Sequence, residues 1–510
     1  MSENRFNPYD DLPYAGLPFP QTHPGRLAAM ARLFGVPATA PSRCRVLELG
    51  CASGDNLIPF AAAMPDARFV GLDLSARQVA TANATIAASG LSNITIAQRD
   101  LAELSNADGT FDYIIAHGLY SWVPDAIRDK LLAVCRDNLA PNGIAYVSYK
   151  TYPGWSTHVV LRDMMRLFAP AAGDAATRMR HARSLLDVFG AHLEPDTPYG
   201  ALLRDQIDYL RGVPDGYMFH DHLEDSSHPV YFHEFVADAH RHGLEFMSEA
   251  GLGAMGPGQI PPQAAQALQG VTTDYFGLEQ LIDVLVNRSF RQSLLVHAGT
   301  PIVRRIDAQS VFAFTLASPA RTTSRQPALT SGQPERFEAP NGGTFTSSIA
   351  LAKAALLHLI DHWPHGVAFD ATFVAARSRL GLSAEAPLEE RRLLGEEMLR
   401  AYAAGIVELR VEEPNVAAHA GERPRASALA RHQAAQGGPV TTLLHLRVNL
   451  DPYNRTLVQL LDGTRDHDAL RQALAAAGAM VPTAPGVRAD PGEFLRKSLQ
   501  RLAKVGLLAQ

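Results

Sequence analysis

The stretch Val46-Leu47-Glu48-Leu49-Gly50-Cys51-Ala52-Ser53-Gly54-Asp55-Asn56 decides the fold, because an apolar run leads at once into a glycine-containing turn and a helix start. Glycines at 50 and 54 let the backbone fold tightly beneath a ligand, where a Cβ would collide. A dinucleotide-binding GxGxxG motif beginning at Gly50 requires glycine at the positions of Ala52 and Asp55. A carboxylate at a helix N-terminus repels a pyrophosphate and suits a ligand that carries an ammonium or a sulfonium. The stretch therefore argues against a dinucleotide.

Residues 44–150 alternate short β-rich runs with helical patterns, which predicts parallel strands joined by right-handed crossovers. Asp55 is expected to cap the first helix of this segment, and Ser75 the second, which Gly90 closes. The sequence Pro141-Asn142-Gly143 predicts a turn before the fifth strand. The five predicted strands occupy residues 45–49, 69–72, 94–98, 111–116 and 144–149.

Polar residues stand where successive predicted strands end. Asp73 ends the second strand, Asp100 follows the third and His117 closes the fourth, at the sheet edge where ligands bind. Asp73 is placed to accept hydrogen bonds from two ribose hydroxyls, and Asp100 from an adenine amino group. Together with Asp55, these positions favour S-adenosylmethionine over NAD as the cofactor.

The remainder of the chain predicts insertions and small modules. Residues 156–229 are helical in pattern and interrupt the sheet, whose rhythm returns in a helix and the strand LEFMSEA within residues 230–250. A second insertion, containing GPGQIPP, precedes a last strand at 291–297. Residues 318–344 and 414–439 have the composition of linkers or exposed loops, and each is followed by amphipathic helices that end in a strand-like run.

Composition limits the function classes. The 510 residues suit three or four domains, and 46 Lys and Arg against 52 Asp and Glu give a net charge of −6, which disfavours a protein that grips nucleic acid. Three cysteines, Cys44, Cys51 and Cys135, form no disulfide framework or CxxC pair. The stretch MSENRFNPYDD has no basic run followed by an apolar core, and no run of 18 apolar residues occurs. We expect a soluble, cytoplasmic protein with no membrane partner; the oligomeric state is left open.

The motifs ELGCASG, VGLDLS, QRDL and AHGLYSWVP resemble those of class I S-adenosylmethionine-dependent methyltransferases. The segments YDDLPYAGLPFPQTHPGRLAAMARLFG, YKTYPGW and NRSFRQSLLVH resemble methyltransferases with a predicted regulatory domain, among which the bacterial outer-membrane-protein lysine methyltransferases have a similar layout. The resemblance implies an α/β fold: a Rossmann-like seven-stranded methyltransferase core with helical insertions, plus C-terminal winged-helix-like α+β modules. It implies an N-terminal lid or arm at 1–41, a cofactor-binding core at 42–155, a helical insertion at 156–229, a regulatory region completing the sheet at 230–317, a linker with the first winged-helix-like module at 318–415, and a second module at 416–510.

The resemblance also implies a cofactor site. Ala52 departs from the family motif, which usually has glycine there, and the extra methyl group is expected to fit at some cost in cofactor affinity. The residues implied in binding S-adenosylmethionine are Glu48, Gly50, Ala52, Gly54, Asn56, Asp73, Leu74, Asp100, Leu101, His117 and Tyr14.

The resemblance implies that the methyl-transfer channel is lined by His117, Tyr120 and Trp122. Four aromatic residues are the candidates for orienting the acceptor amine: Tyr120, Trp122, Tyr152 and Trp155. Methyl transfer is an in-line displacement, so alignment and desolvation matter more than a strong base, and aromatic faces favour a developing cation. The alternative is that these rings only pack against helices.

An aromatic and proline-rich arm containing Tyr9, Tyr14, Thr22 and His23 predicts a lid over the cofactor, with the alternative that it covers an apolar edge of the sheet.

Other polar clusters carry weaker signals. The histidines between His220 and His242 lack the spacing of a metal site, so no metal is expected. Substrate contact is one predicted role for Asn287, Arg288 and Arg291, and capping with structural salt bridges is the alternative. The helical patterns near the C-terminus lack the dense basic stripe that DNA binding requires.

The sequence thus predicts an S-adenosylmethionine-dependent methyltransferase that modifies lysine side chains of a protein substrate. Two alternatives stay open: a methyltransferase acting on a small molecule, for which residues 156–229 form a cap, and a cofactor-sensing regulatory protein that uses its winged-helix-like modules.

Overall fold

The computed structural model describes residues 16–168, 174–224, 226–330, 332–383, 385, 387–481 and 490–510. Seven strands form its main sheet: β1 (Arg45–Leu49), β2 (Arg68–Asp73), β3 (Ile94–Gln98), β4 (Phe111–Ala116), β5 (Leu139–Lys150), β6 (Leu244–Glu249) and β7 (Phe290–His297). Their order is β3-β2-β1-β4-β5-β7-β6, with β7 antiparallel to both neighbours and the other pairs parallel. The predicted seven-stranded α/β core is confirmed.

One helix before the first strand and three between the first five strands cover the sheet with apolar faces. The Ser75 hydroxyl accepts a hydrogen bond from the Gln78 N–H at 3.1 Å, and Gly90 ends the same helix with φ of 63°, as the sequence predicts. The helices are α1 (Pro24–Leu33), α2 (Leu57–Ala63), α3 (Ala76–Ser89) and α4 (Asp125–Asp137).

Two local predictions in this region are wrong. Asp55 does not cap α2, because its carboxylate instead accepts a hydrogen bond from the Ser53 hydroxyl within the turn and the helix begins at Leu57. Residues 141–143 do not precede the fifth strand but lie inside β5, where the pairing with β4 is irregular. Proline, asparagine and glycine are tolerated there because a bulge relaxes the demands of the ladder.

The insertion after β5 is helical and has an apolar core of its own, built around Leu186 and Ile207. Its elements are α5 (Ser156–Phe168), α6 (Ala175–His192), α7 (Pro198–Gly212) and α8 (Asp215–His222). The chain then returns to the sheet through α9 (Phe232–Arg241), and α10 (Pro262–Gln269) and α11 (Tyr275–Leu285) separate β6 from β7.

Residues 318–344, predicted as linker, instead contribute strands to an antiparallel sheet. Phe337 pairs with Phe345 across this sheet and is fully buried in the same apolar core as Val46 of β1. The amino-acid composition of this segment is polar, but successive side chains of a strand point to opposite faces, and this places both phenylalanine rings on the inner face. The strands of this region are β8 (Thr315–Ala317), β9 (Arg321–Thr322), β10 (Glu335–Glu338) and β11 (Thr344–Ser347), with β8 belonging to a separate small sheet.

Two helical modules follow. The first contains α12 (Ala350–His362), β12 (Val367–Ala368), α13 (Phe369–Arg379), α14 (Leu388–Ala403) and β13 (Glu408–Arg410), with strand order β12-β8-β13. The second contains β14 (Arg425–Ala426), α15 (Ala428–Ala435), β15 (Val440–Thr441), β16 (Arg447–Val448), α16 (Pro452–Leu460), α17 (His467–Ala476), α18 (Pro491–Lys504) and β17 (Leu508–Ala509).

The second linker prediction is also wrong in part. Residues 414–439 include β14 and α15, and Ala430 and Ala434 of α15 are buried in the core of the second module. Small residues make the stretch look like a linker, whereas here they let helices approach closely. In the part of the chain that the structure covers, no helix has the length and apolarity to span a bilayer.

Candidate functional site

One cavity of about 1060 Å³ opens at the carboxyl ends of β1, β2 and β4. It exceeds the range of roughly 300–1,000 Å³ usual for small-molecule sites, so it has room for more than one ligand. One side is formed by the turn after β1 and by residues that end β2 to β4, here called the motif wall. The other side, here called the aromatic recess, is formed by Trp122, Trp155, His158, Tyr209, Tyr217 and His222.

The turn after β1 runs through left-handed backbone conformations. Gly50 and Gly54 have φ of 70° and 75°, and Ala52 has φ of 48° between them. The Ala52 N–H donates to Asp73 Oδ2 at 2.8 Å, while Asp73 Oδ1 accepts from the Ser75 N–H at 2.9 Å. Asp73 therefore fastens the turn to the end of β2, and Ala52 adopts a conformation that favours glycine at a cost of about 1 kcal/mol.

Glu48 is buried at the centre of the motif wall. Its Oε1 accepts a hydrogen bond from Asn56 Nδ2 at 2.8 Å, whereas its Oε2 is buried without a partner. Burial raises the pKa of Glu48 to about 8, against the opposing hydrogen bond from Asn56. A half-satisfied carboxyl group facing a cavity is suited to receive a cationic group.

The motif wall is completed by four residues that line the cavity: Leu74, Asp100, Leu101 and His117. Asp100 Oδ1 accepts from the Ala102 N–H at 2.9 Å. His117 Nδ1 lies 2.9 Å from the Tyr146 hydroxyl, and burial lowers the pKa of His117 to about 4. The imidazole is thus neutral and presents no positive charge to a sulfonium.

The N-terminal arm reaches this wall. Phe19 lies over the His117 ring at a centroid distance of 3.9 Å, and Phe19 and Gln21 line the cavity. Thr22 hydrogen bonds to Asn56, while His23 caps α1 by accepting from the Gly25 N–H at 3.0 Å. Tyr9 and Tyr14, predicted in the lid, lie outside the described residues.

The motif wall fits S-adenosylmethionine. An unpartnered carboxylate oxygen on Glu48 suits the ammonium of the amino-acid part, Asp73 and Asp100 are hydrogen-bond acceptors for ribose and adenine, and the neutral His117 suits a sulfonium. These residues come from the carboxyl ends of four strands, β1 to β4, which is where the sheet topology concentrates ligand contacts.

The aromatic recess surrounds a buried lysine. Lys150 Nζ lies 4.2 Å from the Trp122 ring centre and 4.3 Å from that of Trp155. It is paired with Asp221 Oδ1 at 3.6 Å, and Asp221 also accepts from Trp122 Nε1 at 2.6 Å. Burial lowers the pKa of Lys150 to about 8, although Asp221 opposes that shift.

Two histidines complete the recess. The His158 ring stacks on Trp155 at 4.4 Å, with His222 at 5.9 Å from the same ring. Burial lowers the pKa of His158 to about 4 and that of His222 well below its usual value, so both are neutral at pH 7. The Nδ1 atoms of both imidazoles are buried without a partner, as is Trp155 Nε1.

The structure brings together some of the predicted residues and not others. Trp122 and Trp155 both line the cavity. Tyr120 is fully buried away from it, with its hydroxyl donating to Asp238 at 2.9 Å, and Tyr152 packs against Tyr231. Gly54 lies beneath the turn, where an added Cβ would meet Ile96. Tyr120 and Tyr152 therefore pack against neighbouring side chains, as in the alternative that these rings only pack, and do not line the cavity.

Sequence reasoning missed Lys150, His158 and most of the recess. Lys150 lies two residues before the candidate Tyr152 and five before Trp155, and a lysine at the end of a buried strand was the signal that could have identified it. Of the histidine-rich segment, both His220 and His222 line the cavity, and His222 lies next to Trp155. Among the described residues, no three His, Cys, Asp or Glu form a group able to hold a metal ion.

Arg288 and Arg291 do not reach the cavity. Arg291 is fully buried and bonds to Glu249 at 2.7 Å, to Asp283 at 2.8 Å and to Glu279 at 3.2 Å. Arg288 bonds to the same Asp283 at 2.5 Å. Both arginines therefore form salt bridges inside the protein, which is the structural role that the sequence offered as an alternative to substrate contact.

Family models match three parts of the chain. A methyltransferase domain matches residues 46–143, a predicted methyltransferase regulatory domain matches 214–297, and the PKMT C-terminal winged helix domain matches 422–507. The third match coincides with the second C-terminal module.

Similar proteins come from Rickettsia. Uncharacterized protein RP789 of Rickettsia prowazekii (strain Madrid E) is 40% identical over 311 residues, 61% of this chain, and the chain spans 56% of that relative's length. Uncharacterized protein RP028 of the same organism is 33% identical over 234 residues, 46% of this chain and 94% of the relative. The structure of PKMT2 from Rickettsia typhi in complex with AdoHcy has 28% identity and a TM-score of 0.85, covering 98% of this chain and 100% of that one.

Proposed function

The chain belongs to the class I S-adenosylmethionine-dependent methyltransferases that carry a methyltransferase regulatory domain, and from this we propose that it methylates the ε-amine of lysine side chains in a protein substrate. The observation that carries the proposal is the aromatic recess: the cavity that contains the motif wall continues into a space whose tryptophan rings already hold a lysine ammonium.

The pKa of Lys150 shows how this environment changes the protonation of a lysine side chain. An amine with a pKa near 10.4 is neutral in only about one molecule in 2,500 at pH 7, whereas at a pKa of about 8 the neutral fraction is about one in ten. The same burial, together with the charge of Lys150 itself, favours the neutral form of an acceptor amine that enters the recess. The recess therefore supplies the protonation state that methyl transfer needs.

The neutral histidines give the recess hydrogen-bond acceptors without positive charge. The Nδ1 atoms of His158 and His222 can each accept an N–H of the incoming amine and so orient its lone pair. The ring faces of Trp122 and Trp155 stabilise the positive charge that develops on the nitrogen. S-Adenosylmethionine supplies the electrophilic methyl group, and Glu48, Asp73 and Asp100 are the residues that would hold it.

The relatives support a protein substrate. The winged-helix family model is named for PKMT, and PKMT2 of Rickettsia typhi, whose structure was solved with AdoHcy, shares the overall architecture. The helical insertion contributes Tyr209 and Tyr217 to the recess, so a substrate bound in the recess would contact this insertion.

The test uses purified enzyme, S-adenosylmethionine labelled in its methyl group, and a panel of unfolded proteins. We expect label in the proteins, recovered as methyl-lysine after hydrolysis, and none in the same proteins with acetylated lysines. Trp155→Leu is expected to lower this transfer at least tenfold while leaving S-adenosylhomocysteine binding unchanged. Label that appears only in small molecules would contradict the lysine assignment.

A further inference from the structure

A turn of the second C-terminal module inserts against the glycine turn of the cofactor site. It comprises residues 442–446 between β15 and β16, and is closed by hydrogen bonds from the Thr442 N–H to the Leu446 carbonyl and from the His445 N–H to the Thr442 carbonyl, both 2.9 Å. His445 has φ of 59°, a conformation that histidine adopts more readily than most residues. The side chain at the tip of this turn points into the catalytic core.

His445 is buried between the two parts of the molecule. Its ring stacks on Phe60 of α2 with a centroid distance of 4.1 Å and an interplanar angle of 27°. Its Nε2 lies 2.9 Å from Asn56 Oδ1, and because an amide oxygen only accepts, Nε2 is the donor. Nδ1 has no partner, which agrees with a neutral imidazole.

Asn56 uses its whole hydrogen-bonding capacity at this point. Its Oδ1 accepts from the Phe19 N–H at 2.8 Å and from His445 at 2.9 Å. Its Nδ2 donates to Glu48 Oε1 at 2.8 Å and to Thr22 Oγ1 at 3.0 Å. Rotating the amide would set Nδ2 against the donors of Phe19 and His445, and Oδ1 against the Glu48 carboxylate. The two donors thus fix which Asn56 atom faces Glu48.

We propose that His445 is a positioning residue of the cofactor site: it holds Asn56 so that Nδ2 binds Glu48 Oε1 and leaves Oε2 directed at the ammonium of S-adenosylmethionine. The winged-helix module is then part of the cofactor-binding machinery and not only a surface for partners. The proposal rests on cofactor use of the motif wall and is independent of which acceptor is methylated.

The packing of the module supports a fixed geometry. α15 contacts both α2 and α3, and Leu429 of α15 belongs to the same apolar core as Phe60. The His445 turn is also joined to the rest of its own module, since the Leu443 N–H donates to the Gly506 carbonyl at 2.9 Å. The backbone that carries the imidazole is therefore fixed relative to Asn56 by the packing of the module.

The test is calorimetric binding of S-adenosylhomocysteine to the full-length chain. Glutamine and methionine have side chains of similar length and are similarly strained at the positive φ of position 445, so His445→Gln and His445→Met form a matched pair. Only glutamine keeps a hydrogen-bond donor near the position of Nε2. We expect His445→Met to bind about tenfold more weakly than wild type and His445→Gln to stay within about threefold. His467→Ala changes an exposed histidine of the same module and serves as the control for effects of a histidine substitution that do not act through Asn56.

A double-mutant cycle with Asn56→Ala separates positioning from packing. If His445 acts through Asn56, His445→Met adds no further loss of affinity in the Asn56→Ala background. Equal binding by His445→Met, His445→Gln and wild type, or additive losses in the cycle, would overturn this proposal alone. Absence of binding by the wild type would overturn the cofactor assignment with it.

Discussion

Two buried cations on neighbouring strands have opposite surroundings. Arg291 of β7 and Lys150 of β5 are both inaccessible to solvent, and Arg291 faces Tyr149, the residue next to Lys150, in the strand register. Successive residues of a strand point to opposite faces. Arg291 therefore lies with Glu249 and Asp283 on one face, and Lys150 lies with the tryptophans of the recess on the other.

The two faces differ in how completely their buried polar atoms are hydrogen bonded. In the Arg291 cluster, defined as Arg291 with Glu249, Glu279 and Asp283, every carboxylate oxygen has a donor. Around the cavity, by contrast, buried atoms without a partner include Glu48 Oε2, Trp155 Nε1, His158 Nδ1 and His222 Nδ1. The complete pairing of the Arg291 cluster serves the fold, whereas the unpartnered atoms at the cavity can be given partners by a ligand.

Removing the cation from the Arg291 cluster should have the largest effect on stability. Arg291→Met leaves three buried carboxyl groups without their shared partner, and we expect the free energy of unfolding to fall by about 3–5 kcal/mol. Urea unfolding followed by circular dichroism measures it. Arg291 keeps its charge from pH 7 to pH 10, because its pKa lies well above its usual value, whereas the buried carboxyl groups left in the variant are easier to keep protonated at the lower pH; the loss should therefore be at least as large at pH 10 as at pH 7. A loss below about 1 kcal/mol would contradict the structural role.

Lys150→Met should behave differently, because its effect depends on pH. The unfolded chain holds the lysine proton up to about pH 10.5, whereas the folded chain releases it near pH 8. Raising the pH through this window therefore stabilises wild type relative to Lys150→Met, by roughly 3 kcal/mol in total. Urea unfolding of both proteins at pH 7, 8, 9 and 10 tests this. A constant difference across the series would mean that Lys150 keeps its proton, as Arg291 does.

The contrast between the two faces also shows what a sequence can predict. The seven-stranded core follows from local patterns: strand runs, the Ser75 cap and the Gly90 stop each act within a few residues. Asp73 and Asp100 were found because the carboxyl ends of parallel strands meet at one edge. These parts of the site depend on short-range rules and were therefore predictable.

The rest of the site depends on contacts between distant segments. His445 meets Asn56 across 389 residues, and Trp122 meets Asp221 across 99. Tyr120 and Trp122 differ by two positions in one 3-10 turn, and only the fold decides that the second faces the cavity while the first enters the core. No periodicity in the sequence carries that information.

Glu48 belongs to the incompletely paired face, so ligand binding should change its protonation. With a pKa of about 8, the group is mostly protonated at pH 7, and binding the ammonium of S-adenosylhomocysteine requires the carboxylate. We expect release of nearly one proton per ligand at pH 7, which corresponds to about 1.4 kcal/mol of lost affinity. Calorimetry in buffers of different ionisation enthalpy measures it.

Glu48→Gln provides the matched control for that measurement. The amide can keep a hydrogen bond to Asn56 but has no proton to release, so its binding enthalpy should not depend on the buffer in this way. Release of a proton by Glu48→Gln of the same size as in wild type would assign the proton to another group.

The smallest expected effect concerns the backbone of the motif wall. Ala52 carries a side chain at φ of 48° while its N–H donates to Asp73, so Ala52→Gly should remove strain and keep the hydrogen bond. Glycine also gains more freedom in the unfolded chain, which offsets part of the gain. We expect a net change in unfolding free energy within about 1 kcal/mol, and S-adenosylhomocysteine affinity equal to wild type or up to about threefold higher. Because the variant alters no charge, its effect should be independent of pH, unlike that of Lys150→Met. A clear loss of affinity would show that the alanine methyl group itself contributes to the ligand site.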